Sequence, residues 1–194
     1  MNIIIIRAEE LLDTVKKKKV AAVLSIEHPG VKSHETGYAP RLKENGHAHI
    51  PQKVLTFWDS ETKVPNGPDK KQVAEGISFV MGHLQKGDVI IHCHAGKARS
   101  TGIALGVLAL LHPDKKEREL VKQLVDIRPI AAPNIIVVEH VDKITGRGGK
   151  LLEAVKKDPD ITARREKSEE GRRNWLSQNP ETARRMFPEK FPKL

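Results

Sequence analysis

Apolar residues fall along this chain in two patterns. Short unbroken runs come first: Ile3–Ile6, the stretch 20–26, the stretch 52–58 and Val89-Ile90-Ile91. Runs of this length, rich in β-branched residues, predict strands buried on both faces. Between them the spacing changes to that of helices. Residues 8–17 predict a short helix, and Val73, Ile77, Val80, Met81 and Leu84 predict a longer one over 69–85. Gly102–Leu111 is apolar nearly all round, as a buried helix requires. Beyond residue 112 only helical spacing remains, over 114–127, 134–145 and 150–157. Alternating strands and helices predict an α/β fold. Its central sheet of about four to five strands is flanked by helices and followed by an all-helical C-terminal part. In such sheets the functional loops lie at the C-terminal ends of the strands.

Other segments carry no period. Residues 27–51 are rich in Gly, Pro and His, and a loop this long in a compact domain is a candidate wall of a site. Residues 59–68 are a turn-rich loop. The last segment differs again. Asp158-Pro159-Asp160 and Asn179-Pro180-Glu181 each read as a helix start, with a cap, a proline and an acid in the first turn. Each leads into Thr-Ala-Arg-Arg. Trp175, Leu176, Met186, Phe187 and Phe191 are the main apolar anchors there. We therefore divide the chain into a catalytic domain, 1–157, and a basic helical extension, 158–194, that docks on the core or serves as an arm for a partner or nucleic acid.

Composition narrows the function. The 194 residues carry a net charge of +9, spread along the chain, which favours anionic partners without choosing among them. No apolar run approaches the ~20 residues of a membrane span. Ile3–Ile6 is too short for a signal-peptide core and is followed by acids. Cys93 is the only cysteine, so an internal disulfide is excluded.

That cysteine stands in His92-Cys93-His94-Ala95-Gly96-Lys97-Ala98-Arg99-Ser100, between an apolar strand and an apolar helix. The residues His94, Ala95, Gly96, Lys97 and Ala98 are long enough to wrap backbone amides around one phosphate, with the dipole of the following helix behind them. Arg99 adds a planar fork matched to two phosphate oxygens. The amides, the dipole and Arg99 all stabilise a Cys93 thiolate, the form that attacks. Ser100 has two readings: a hydroxyl that steadies the thiolate, and a helix cap. A nucleophilic thiol also calls for a reducing compartment, which predicts the cytoplasm.

This segment resembles the His-Cys-x-x-Gly-x-x-Arg-Ser/Thr signature of the cysteine-dependent protein tyrosine and dual-specificity phosphatases, and every fixed position is met. The resemblance implies a compact dual-specificity-like fold and hydrolysis of phosphate monoesters through a phosphocysteine, with no metal or other cofactor. It implies that His92 supports the loop by hydrogen bonding. It also implies a general acid on a mobile loop about thirty residues upstream. Asp59, which follows Trp58 and lies 34 residues before Cys93, fits; Asp69 is the rival but reads as a helix cap. No proline separates Trp58 from Asp59, so the match is closer to the dual-specificity type. Arg128-Pro129 with Pro133-Asn134 resembles a stretch in compact dual-specificity enzymes where the asparagine braces the phosphate loop; the other reading of Asn134 is a plain N-cap. Ala95-Gly96-Lys97 is similar to the tensin-like phosphoinositide phosphatases, and Lys97 would favour substrates with several phosphates. An aromatic clamp for phosphotyrosine would rest on Tyr38, Phe57 or Trp58.

The expected partner is a phosphorylated protein, with a phosphoinositide, an RNA 5′-phosphate or another anionic phosphate as alternatives. The basic surface suits a polyanion. A non-catalytic phosphate-binding module is the reading from another class. His47 and His49, with His28 and His34 nearby, lack carboxylates or thiols at ligand spacing and read as solvated loop residues.

Overall fold

The computed structural model describes residues 2–33 and 35–186; His34, Phe187 and Phe191, named above, lie outside the described residues. Four strands form one wholly parallel sheet: β1 (Ile3–Arg7), β2 (Ala22–Glu27), β3 (Gln52–Thr56) and β4 (Val89–Cys93), in the order β1-β4-β2-β3. Eight α-helices accompany it among the described residues: α1 (Leu11–Lys17), α2 (Lys70–Leu84), α3 (Arg99–Leu111), α4 (Glu117–Ile127), α5 (Ile135–Thr145), α6 (Lys150–Lys157), α7 (Pro159–Gln178) and α8 (Pro180–Met186). The expected α/β class holds, with four strands. None of the described helices is long and apolar enough to cross a membrane.

The unbroken apolar runs make sense in this sheet because both faces are covered. Successive side chains alternate between the faces. Val89, Ile91 and Cys93 of β4 join the large cluster with Leu24, Ile26 and the helices α2 to α7. Ile90 joins Val23, Ile6, Leu11 and Val15 in a smaller cluster around α1. Cys93 therefore sits on the helix-rich face, at the end of a central strand. Register aligns Arg7 with Cys93 and Glu27 with Thr56, so the ends of β1, β4, β2 and β3 share one edge of the sheet.

Helix α3 is buried on nearly every side from Arg99 to Ala109. Its close packing depends on glycine. A Cβ on Gly102 would come within 2.7 Å of Val137 Cγ1 on α5, and one on Gly106 within 2.6 Å of Ile77 Cδ1 on α2. Pro159 and Pro180 stand where the capping pattern put them: Asp158 accepts from the Ile161 amide at 2.9 Å as N-cap of α7, and α8 starts at Pro180.

Candidate active site

The loop from Cys93 to Arg99 is held from outside by its carbonyls. The His94 carbonyl accepts from the Ala8 amide (3.1 Å), that of Lys97 from the Ala132 amide (2.8 Å), and that of Ala98 from the Asn134 amide (3.2 Å). The Gly96 carbonyl accepts from Arg128 Nε at 3.0 Å. In a trans peptide the C=O and the next N–H point opposite ways. The amides of Ala95, Lys97, Ala98 and Arg99 are thereby turned inward. Gly96 has φ 58°, and a Cβ there would collide with the Ile6 carbonyl, so this turn requires glycine.

Within the loop's curve, Cys93 Sγ lies 3.3 Å from Ser100 Oγ. Burial pushes the Cys93 thiol up and Arg99 pulls it down. Asp59 raises it again, but hydrogen bonds from the Ser100 hydroxyl and backbone lower it, and the net shift is downward. Arg99 is 1% exposed. Its Nη1 donates to the carbonyls of Glu27 (3.0 Å) and Phe57 (2.9 Å), which aims the guanidinium, while its Nε has no partner among the described residues. A buried guanidinium N–H without an acceptor suits an incoming anion. Glu27 in turn is fixed by two bonds from Arg41, at 2.7 and 2.8 Å. His92 points to the other face of the sheet, where its Nε2 is 2.7 Å from Ser25 Oγ, and burial lowers its pKa to about 4. It supports the strand end as a neutral ring.

A cavity of about 330 Å³ opens over this loop. Asp59, Trp58, His28 and Thr36 line it, as do Lys97 and, from the C-terminal helices, Ser168, Arg172, Trp175, Leu176 and Met186. Asp59 and Cys93 thus face one space. Burial raises the Asp59 carboxyl. Arg172, Arg99 and a hydrogen bond from Asn134 lower it by more, so the net pKa is below the ordinary value. The rival carboxylate, Asp69, is the N-cap of α2, accepting from the Gln72 amide at 2.8 Å.

Several readings of the sequence change here. Asn134 is the N-cap of α5, accepting from Val137 N at 3.1 Å. Its Nδ2, however, donates to Asp59 Oδ1 and to the Ser60 carbonyl, both at 2.9 Å. The side chain therefore braces the loop carrying Asp59. Arg128, six residues earlier, reaches the Cys93–Arg99 loop instead, because the tight turn at Arg128–Ala131 brings its long side chain there. Phe57 is fully buried in the core and cannot clamp a ligand, and Tyr38 packs under Arg41. Trp58 does line the cavity. His28 is no solvated loop residue: it stands between Trp58 (ring centroids 5.3 Å) and Trp175 (6.4 Å). Burial, followed by repulsion from Arg99, lowers its pKa to about 3, so it is a neutral wall. Its signal was only its place, directly after a buried strand. His47 and His49 lie against each other elsewhere, and no group of three or more metal-ligating side chains occurs among the described residues.

The boundary at 157 also divides what the structure joins. Residues of α7 and α8 build one wall of the cavity. One face of α7 carries Ile161, which is fully buried, Arg164, which donates to the Ala131 carbonyl at 2.9 Å, and the pocket residues Ser168, Arg172 and Trp175.

Comparisons with known proteins give a consistent fold. A scan against protein-family models matches none, and a search of curated proteins matches none. Among solved structures, PTPMT1 aligns at 18% identity over 86% of this chain and 95% of its own, with a TM-score of 0.57. The human tyrosine phosphatase-like serine/threonine/tyrosine-interacting protein aligns at 17% identity over 73% of this chain and 85% of its own, TM-score 0.57. DUSP15 aligns at 21% identity over 78% and 88%, TM-score 0.54. With the sheet, the Cys93 loop and these neighbours together, the chain has the fold of the dual-specificity and protein tyrosine phosphatases.

Proposed function

We infer that the protein hydrolyses phosphate monoesters through a phosphocysteine on Cys93. The observation that carries this reading is one cavity lined by Cys93, Asp59 and buried Arg99, whose Nε has no partner among the described residues. The thiolate attacks phosphorus; an S–P bond forms and the ester P–O bond breaks. Asp59 gives its proton to the leaving oxygen. In the second step Asp59, now a carboxylate, takes a proton from water. The water oxygen attacks phosphorus, the S–P bond breaks, and the thiolate leaves beside the Ser100 hydroxyl. Arg99 and the inward amides match the equatorial oxygens in both steps.

The first step needs a protonated Asp59, although Arg172 and Arg99 pull its pKa below the ordinary value. A substrate phosphate resolves this. Its charge cancels the field of Arg99 and Arg172, so the proton is taken up on binding.

The substrates we propose are phosphorylated protein side chains, phosphotyrosine among them. Trp58, His28 and Trp175 supply flat walls for a ring. One observation favours a phosphoinositide as second reading. Lys97, on the loop, is partly buried and feels the charges of Lys167 and Arg164, which makes a cationic rim for a second phosphate. The neighbour PTPMT1 has been solved in complex with PI(5)P. A thiolate nucleophile is consistent with the cytoplasm.

The test is hydrolysis of an aryl phosphate by reduced enzyme with a chelator present. Wild type turns over and Cys93→Ser does not. Asp59→Asn is slowed by about 10²–10⁴-fold, the usual contribution of a general acid. Competition between phosphotyrosyl peptide and soluble phosphoinositide then ranks the substrates. A reduced, folded wild type that binds phosphate but never releases product contradicts the reading and favours a binding module.

A further inference from the structure

Helix α7 reaches the loop that follows β3 at two points. Arg165 Nη2 lies 2.8 Å from Glu61 Oε2, and Arg172 Nη2 lies 4.0 Å from Asp59 Oδ1. The two arginines are seven residues apart and so share one face of the helix. Their partners are two residues apart in the loop that follows β3. The loop after β3 has no regular structure to fix it to the core. Beyond the bond from the Phe57 amide to the Glu27 carbonyl (3.2 Å), side-chain contacts hold it: Asn134 to Asp59 and Ser60, and Glu61 to both Arg165 and the Ile135 amide (3.2 Å) at the start of α5.

The Glu61–Arg165 pair is not an ordinary surface contact. The two side chains are 10% and 17% exposed. An ion pair so sheltered is screened little, and loss of one partner leaves a charge with poor solvation. Glu61 also stands at the N-terminus of α5, where the helix dipole favours an anion. Arg165 does not line the cavity, and neither does Glu61. Whatever this pair does for the chemistry, it does through the loop.

Resting on the function proposed above, we propose that α7 is the clamp that sets the acid loop for proton transfer, with Arg165 and Glu61 as its positioning residues. The C-terminal helix then belongs to the catalytic unit. It holds Asp59 over Cys93 before substrate arrives, so no loop closure is needed to place the proton.

A positioning role has a signature that a general loss of structure lacks. Phenyl phosphate has a poor leaving group, with a pKa near ~10 like that of tyrosine, and needs the proton. 4-Nitrophenyl phosphate releases a stable anion and needs it far less. The experiment measures kcat/KM for both esters with wild type, Arg165→Met, Glu61→Gln and the exchanged pair Arg165→Glu with Glu61→Arg, all in the full chain. The ratio of the two substrates is read, so a variant that folds in lower yield does not move it.

The expected result for each single variant is a fall of about tenfold or more on phenyl phosphate, part of the ~10²–10⁴ a general acid supplies. The fall on 4-nitrophenyl phosphate is smaller, about threefold at most on the same scale. The exchanged pair brings the ratio only part of the way back toward wild type, because arginine at position 61 cannot accept from the Ile135 amide. Equal losses on both esters, or an unchanged ratio, overturn the clamp while leaving the phosphatase reading intact. A wild type inactive on both esters overturns that reading and the clamp with it.

Discussion

Single side chains decide the chemistry. Cys93 has its thiol held below the ordinary value against the effect of burial, by Arg99 and Ser100. Its alkylation rate in the free enzyme is therefore expected to reach half-maximum below pH ~8.5, the range of a free thiol. Ser100→Ala removes the 3.3 Å contact and moves that midpoint upward. An unchanged midpoint would remove Ser100 from the account. Asp59 makes a second prediction with a defined sign. It faces Arg172, Arg99, His28, Asn134 and Cys93, and Arg172 is the foremost of the groups that lower it. Replacing Arg172 with Gln raises the Asp59 pKa. Since Asp59 must be protonated to give its proton, the alkaline limb of the kcat/KM profile moves to higher pH. A limb that stays or falls would mean another group titrates there. At this scale the sequence was readable where a residue's placement follows from its immediate neighbours, as for Cys93 and Ser100, whose side chains meet, and Arg99, which lines the same cavity as Cys93. Asn134 was less so. Its motif announced a brace, but the sequence does not say which loop comes within reach of a side chain 75 positions from Asp59.

Elements carry the next level. β4 and α3 were legible because an unbroken apolar run, a turn and an all-round apolar helix can pack in few ways other than strand, loop and buried helix. The glycines of α3 have a consequence of their own. Gly106→Val places methyls where Ile77 and Val141 already stand, and Gly102→Val does so against Val137. Overpacking of this kind costs about 1–3 kcal/mol. Chemical denaturation is expected to show that loss at either site, whereas Gly82→Ala, which meets nothing within 4 Å, gains stability from helix propensity. Similar stability for all three variants would contradict the packing described for α3. Helix α7 was legible as a helix, from Asp158 and Pro159, but not as a wall of the site. It buries one residue fully, Ile161, and binds through arginines whose partners lie far away in sequence; Arg165 and Glu61 are separated by 104 positions. No apolar stripe announces such docking.

The whole molecule is a parallel sheet whose C-terminal edge gathers groups from six segments: the ends of β2, β3 and β4, the starts of α3 and α5, and α7. That gathering has a cost in acid. His28 is half-buried, His92 is buried, and both are neutral, with pKa values lowered chiefly by desolvation to about 3 and about 4. In the unfolded chain both take protons near pH ~6.5. The unfolded state thus binds more protons below that point, and stability falls as the pH drops from about 6.5 toward 3. His28→Gln is expected to make the urea midpoint less steep across this window. An equally steep fall in the variant would show that His28 is not buried neutral. The α/β class, the strand-end site and the dual-specificity-like fold could be read from the sequence. That the basic C-terminal segment closes the cavity could not, because its net charge describes a surface and not what the surface packs against.

The central claim is a covalent phosphoryl group on Cys93, and the most direct measurement is to catch it. Reduced enzyme is mixed with excess aryl phosphate and quenched in acid within the first turnover, and the peptide containing Cys93 is examined by mass spectrometry. The account predicts one phosphoryl group on Cys93, absent from Cys93→Ser, and more abundant in Ser100→Ala, where the second step is slowed. Product release with no phosphoryl group on that peptide at any time, or full turnover by Cys93→Ser, would contradict it.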